Sequence, residues 1–169
     1  MSQGLTRIHH VEFVVGNAKQ AAYFYRKAFG FDQVAYRGPE TGVRDRVSYV
    51  LQQGKIRFVL TAALQPGNDI ARHVHQHGDG VKVLALWVDD AAYAYETALA
   101  RGARSAAPLQ TLQDEKGEVR IASIHTYGES LNWHPHLHAL VADGLFERSG
   151  WFYVMGRASL KPLEELFRA

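Results

Sequence analysis

The spacing of apolar residues changes period several times along the first sixty positions, and each change predicts an element. Residues 8–15 (IHHVEFVV) are rich in β-branched and aromatic side chains and predict a strand that stops at Gly16-Asn17. From Ala18 the apolar positions fall at Ala18, Ala21, Ala22, Tyr25, Ala28 and Phe29, the spacing of one helical face. Gly30 follows where a helix-terminating glycine belongs. Strand patterns then occupy roughly 31–36, 46–52 (RVSYVLQ) and 55–62 (KIRFVLTA), with Gln53-Gly54 as the hairpin turn between the last two. The predicted order is β-α-β-β-β.

Between Gln65 and Gly80 the pattern lapses into Pro66-Gly67-Asn68, three histidines (His73, His75, His77) and Gly78-Asp79-Gly80, which predicts a solvated loop. The periodicity then restarts. Val81–Val88 reads as a strand, Asp89-Asp90 as a helix N-cap, and Ala91–Ala100 as a helix closed by Arg101-Gly102. Strands follow at about 103–111 and 118–126, joined by a turn at Asp114–Gly117. Superposing the halves lays His10–Val15 over Val83–Val88 and brings the helices and closing glycines into line. An internal repeat of a unit that leaves one sheet face uncovered predicts two units side by side. The expected fold is therefore α+β: two βαβββ repeats, near 7–64 and 81–130, forming a curved, cup-like mixed sheet with helices outside.

Composition narrows the functional classes. A chain of 169 residues that is 47% hydrophobic and 21% charged predicts one globular domain. It contains no cysteine, which removes disulfides, thiolate metal sites and cysteine nucleophiles. The net charge of +2 is too small to argue for nucleic acid. The N-terminal residues lack the apolar run of a signal peptide and no stretch reaches membrane-spanning length, so a cytoplasmic protein with no membrane partner is expected. Arg37, Arg44, Asp45 and Arg46 predict a salt-bridged surface, His125 is read as structural, and no phosphate-binding loop or Ser–His pair appears.

The repeat, with histidine in IHHVEF and Phe24-Tyr25 late in the first helix, resembles the vicinal oxygen chelate superfamily. Within it the chain is similar to the 4-hydroxyphenylpyruvate dioxygenase family, through VGNAKQAAYFY (15–25), AYRGPETG (35–42), QGKIRFVLTAAL (53–64), HVHQHGDGVK (73–82), ARGAR (100–104) and HTYGES (125–130). The resemblance implies the amino-terminal domain of an enzyme that converts 4-hydroxyphenylpyruvate and O₂ to homogentisate in tyrosine breakdown. It also implies that the Fe(II) of the complete enzyme is held by two histidines and a glutamate of a carboxy-terminal domain, a triad with open positions for substrate and oxygen. No cofactor is then expected in this chain, and 4-hydroxyphenylpyruvate turnover by it alone is not expected. His10 holds the first position at which the wider superfamily places a metal ligand, but its counterpart in the second repeat is Val83, and the last-strand positions near Arg57–Leu60 offer no ligand set. His10 is accordingly expected to be a hydrogen-bonded core histidine rather than a working ligand.

After Ser130 this likeness ends. The tail, residues 131–169, resembles a segment of rolling-circle insertion-sequence transposases through NWHPHLHALVADGLF (132–146) and LKPLEELFRA (160–169). The resemblance implies a metal-binding His-hydrophobe-His motif at His136 and His138, whose i, i+2 spacing puts both side chains on one face of a strand. Residues 137–144 are expected to supply the missing last strand of the second repeat, with 151–155 (WFYVM) as its hairpin partner and Lys161–Arg168 as a short helix. Three functions follow as expectations: a truncated dioxygenase homologue inactive by itself, a non-catalytic ligand-binding or self-association module, or metal-dependent binding or nicking of single-stranded DNA. Homo-oligomerisation is expected through the face that would meet a second domain.

Overall fold

The computed structural model describes residues 4–114, 117–125, 137–142 and 153–154. β1 (Leu5–Val14) leads into α1 (Ala18–Phe29), followed by β2 (Asp32–Arg37), β3 (Arg46–Gln53) and β4 (Ile56–Ala63). Then come α2 (Asp69–His77), β5 (Gly80–Val88), α3 (Ala91–Ala100), β6 (Arg104–Asp114), β7 (Gly117–His125), β8 (Leu137–Ala142) and β9 (Tyr153–Val154). The strands form one curved sheet in the order β6-β7-β8-β5-β1-β4-β3-β2-β9. β1 lies parallel to β4 and β5 lies parallel to β8, while β1 and β5 join the two halves antiparallel.

Local chemistry explains where the helices begin and end. The Asn17 side chain accepts from the Gln20 amide at 3.0 Å and opens α1. Gly30, at φ 73°, closes it with its amide on the Arg26 carbonyl, a left-handed conformation that costs glycine no Cβ clash. Asp90 opens α3 by accepting from the Ala92 and Tyr93 amides.

Two expectations need correction. The segment after Pro66 is not an irregular loop: Asn68 caps α2 by accepting from the Ala71 amide at 2.8 Å, and Gly78 stops it. Ile70 and His73, three residues apart, are both buried, so the helix has an inward face that its histidines disguise as polar. His73 is therefore not a solvated residue, and its ring lies 4.9 Å from that of His77. The second correction concerns β9, which pairs with β2 through Ala35↔Val154 and Tyr36↔Tyr153 and not with β8. β8 already has a neighbour on each side, β5 and β7, whereas β2 presents an open edge of unpaired amides and carbonyls. The expected helix at Lys161–Arg168 lies outside the described residues.

The main core lies between α1 and the first half of the sheet, where Ala18 and Ala22 meet Val15, Phe31, Val47, Leu51, Leu60 and Ala62. Phe13, Tyr25 and Phe58 close it, with Phe31 and Phe58 stacked at 5.0 Å. A smaller cluster seats α3 through Ala91 and Ala94 on Val88, Leu86 and Leu109. Because side chains alternate along a strand, the residues between these positions point to the other, helix-free face.

Candidate functional site

The helix-free face has a polar half and an apolar half. On the second repeat it consists of Val83, Ala85 and Trp87 of β5, Leu112, Val119 and Ile121 of β6 and β7, and Ala139 of β8. On the first repeat a patch of Ala35, Val50 and Val59 borders a chain of hydrogen bonds. Thr61 donates to Glu12 Oε1 at 2.7 Å, and the buried Ser48 hydroxyl lies 2.9 Å from that of Thr61. Since Thr61 spends its one proton on Glu12, Ser48 donates to Thr61. Glu12 is paired in register with Val59 on one side and Val83 on the other. Burial in these apolar surroundings raises its pKa, against the opposing pull of the Thr61 bond and of Arg46, Arg37 and Lys82. The result is a carboxyl group poised to hold its proton more firmly than a solvated glutamate.

A second polar chain runs across the start of β1. The register with β5 shifts between Ile8 and His10, so a bulge turns His9 towards its neighbour. The two rings meet with Nδ1 atoms 2.7 Å apart, and Arg57 Nη1 lies 3.3 Å from His9 Nε2. A guanidinium only donates, so His9 accepts at Nε2 and carries its proton on Nδ1, which it donates to His10 Nδ1. His10 therefore carries its own proton on Nε2. Both rings are held neutral: His9 is pushed down to about 4 by burial and by the Arg57 and Arg7 charges, and His10 to about 3 by burial, His9 and Arg57.

This arrangement bears directly on the metal-ligand candidates. In register across the sheet, His10 faces Ala85 of β5, and Ala85 faces Ala139 of β8. His10 has spent its Nδ1 lone pair on His9, and the neighbouring strands place methyl groups in its row. An iron site of two imidazoles and a carboxylate with free lone pairs does not fit these residues. His138 stands one position from that row, paired with Leu84 and Ile124. His136 lies outside the described residues. Among the described residues, no group of three or more histidine, aspartate or glutamate side chains gathers at one point, and no helix is long and apolar enough to cross a membrane.

Sequence reasoning singled out His10 but missed Glu12, Thr61, Ser48 and His9. A glutamate in the middle of the otherwise apolar β1 was a usable signal, because a charged group there needs a partner. The bulge that brings His9 against His10 left no such mark.

Comparison with known proteins places the geometry among relatives. The profile of the Glyoxalase/Bleomycin resistance protein/Dioxygenase superfamily matches residues 7–121, and a profile described as Putative transposase matches residues 120–168. The 4-hydroxyphenylpyruvate dioxygenase of Danio rerio is 46% identical over 123 residues, covering 72% of this chain and 31% of the relative. That of Caenorhabditis briggsae is 46% identical over 127 residues, covering 75% of this chain and 32% of the relative. The chain thus spans about a third of the length of these curated relatives. Among solved structures, a variant of 4-hydroxymandelate synthase from Streptomyces coelicolor superposes with a TM-score of 0.79 at 28% identity, over 92% of this chain and 43% of that one. Methylmalonyl-CoA epimerase from Mycobacterium tuberculosis superposes with a TM-score of 0.66 at 20% identity, over 86% of this chain and 93% of that one, a likeness of fold alone.

Proposed function

Since this chain belongs to the Glyoxalase/Bleomycin resistance protein/Dioxygenase superfamily, we propose that it is a 4-hydroxyphenylpyruvate dioxygenase-like domain that does not itself carry the oxidation. The observation behind this reading is the row His10–Ala85–Ala139, where the fold brings one engaged imidazole and two methyl groups together. An Fe(II) oxygenase needs several open ligands converging at one point, and that row offers none. The test is oxygen consumption by the full chain with 4-hydroxyphenylpyruvate after anaerobic loading with Fe(II). No uptake above the metal-only rate is expected. Iron-dependent turnover overturns the reading.

Self-association is part of the same proposal. Tyr23, Phe24 and Phe29 on the outer side of α1 are 62%, 56% and 55% exposed, an aromatic surface of the kind that contacts another chain. A concentration-dependent mass in light scattering, lowered by Phe24→Ser, is expected; a monomer at all concentrations refutes it. The tail is read as transposase-derived sequence, supported by the profile matching 120–168; β8 and β9 are strands of the tail that join the sheet.

A further inference from the structure

Where β1 begins and the β3–β4 hairpin turns, at one end of the central strands, a cleft of about 640 Å³ opens to solvent. Its lining has a one-sided charge. Arg7, Lys55 and Arg57 contribute three cations and no acidic side chain is among the lining residues. Arg57 is half-buried, and its hydrogen bonds go to neutral acceptors: Gln52 Oε1 at 3.3 Å from Nε and 3.0 Å from Nη2, and His9 Nε2 at 3.3 Å from Nη1. Arg7 lies over the Trp87 ring, its Cζ 5.0 Å from the centroid. Among the described residues neither guanidinium has a carboxylate partner.

A guanidinium partly withdrawn from water without a counter-charge loses hydration with no ion pair in return. Burial and the neighbouring Arg7 charge both bear against Arg57 holding its proton. Gln52 fixes the Arg57 plane from Nε and Nη2, a pre-set donor geometry of the kind that recognises an oxyanion. The rest of the lining is mixed, with Ile8, Val11 and Ile56 aliphatic beside Thr6, His9, Gln52 and Gly54. Ile8 and Ile56 are 55% and 52% exposed. Two exposed isoleucines beside cations that have no carboxylate partner among the described residues make an amphiphilic surface, with a charged end and an apolar wall.

We infer that this cleft binds a small organic anion, its oxyanion head held by Arg57 and Arg7 and its aliphatic body laid on Ile8 and Ile56. A carboxylate and a phosphate monoester share that head chemistry. The site is separate from the Glu12–Thr61–Ser48 chain and needs no metal.

The test is titration of the full chain with hexanoate, hexyl phosphate, hexanol and inorganic phosphate, followed by amide and methyl chemical shifts. Hexanoate or hexyl phosphate should shift the Ile8 and Ile56 methyls and the Arg57 Nε–H, and the tighter of the two identifies the natural head group. Removing one charged donor should weaken that binding roughly tenfold, the scale of a hydrogen bond to a charged group. Arg57→Gln tests the buried donor, and Arg7→Gln, at an exposed position, tests the site without risk to the fold. Hexanol binding as tightly as hexanoate overturns the role of the charge. Inorganic phosphate binding as tightly as hexyl phosphate overturns the role of the apolar wall. Shifts absent from these residues with every probe, or unchanged affinity in Arg7→Gln, overturn the site altogether. Iron-dependent oxygen uptake plays no part in these readouts, so failure here leaves the reading of the catalytic question intact.

Discussion

Protonating His9 should destabilise the protein, and the cost can be worked from its surroundings. His9 is buried, accepts from Arg57 at Nε2 and donates to His10 at Nδ1, so it has no room for a second proton. Its folded-state pKa of about 4 lies below the unfolded value of 6.5. As pH falls below 6.5 the unfolded chain takes up the proton first, so stability is present above that value and is lost as pH drops towards 4. Each unit of that window costs about 1.4 kcal/mol, so going from pH 7 to pH 5 removes about 2 kcal/mol through His9 alone. His10 adds a loss of the same sign, coupled to the first. Glu12 acts in the opposite direction: its raised pKa lets the folded state hold a proton that the unfolded chain has released, which favours folding as pH falls towards the ordinary carboxyl range. The clean measurement is therefore a difference between variants. His9→Gln keeps an amide that can accept and donate but cannot titrate. Urea unfolding at pH 7 and pH 5 should show the parent losing about 2 kcal/mol more than His9→Gln, or about 4–8 °C in Tm for a domain of this size. Equal losses in the two proteins would refute the neutral, hydrogen-bonded His9.

Three further outcomes are expected. Thr61→Val leaves the Glu12 carboxyl and the Ser48 hydroxyl without their shared partner and should cost about 1–3 kcal/mol in urea unfolding; Ser48→Ala, which removes only the end of the chain, should cost less. Leu60→Ala empties a position with no exposed surface beneath α1 and should cost about 2–5 kcal/mol, read as a lower urea midpoint with an unchanged slope. Ala139→Leu puts a larger side chain into the buried cluster of Ala85, Val119 and Ala139 and should destabilise by about 1–3 kcal/mol. A neutral result there would mean that β8 does not sit between β5 and β7.

What was legible in the sequence was what local chemistry decides. Asn17, the 3.6-residue spacing after it and Gly30 each carry their own signal, and α1 occupies the residues they mark. The hairpin at Gln53-Gly54 was equally local, and β3 and β4 pair up to Gln53↔Ile56. α2 was hidden because His73 occupies an inward helical position while counting as polar in any periodicity. The pairing of β9 with β2 was out of reach for a different reason, since an open edge accepts a strand from anywhere in the chain and the ladder bonds are indifferent to side chains. The site divided along the same line. Glu12 was visible as a charge in an apolar strand, but its partners Thr61 and Ser48 come from β4 and β3, and only the register brings them to it.

The seat of β8 shows how little a sheet asks of the strand that joins it. The transposase profile covers residues 120–168, and within that span β8 pairs with β5 over five positions and with β7 over six. Backbone hydrogen bonds account for most of that docking and ask nothing of sequence beyond the absence of proline and a tolerance for extended dihedrals. The side-chain requirement is clearest at one position: the site opposite Ala85 favours a small residue, because Ala85 is fully buried and clusters there with Ala139 and Val119. Ala139 satisfies it. A shift of one residue in either direction would bring His138 or Leu140 opposite Ala85 instead, so the small residue at 139 helps to fix the register. The same alanine puts a methyl group, and not an imidazole, in the row of His10. The residue that lets the strand pack is therefore also the one that gives the row of His10 no second imidazole.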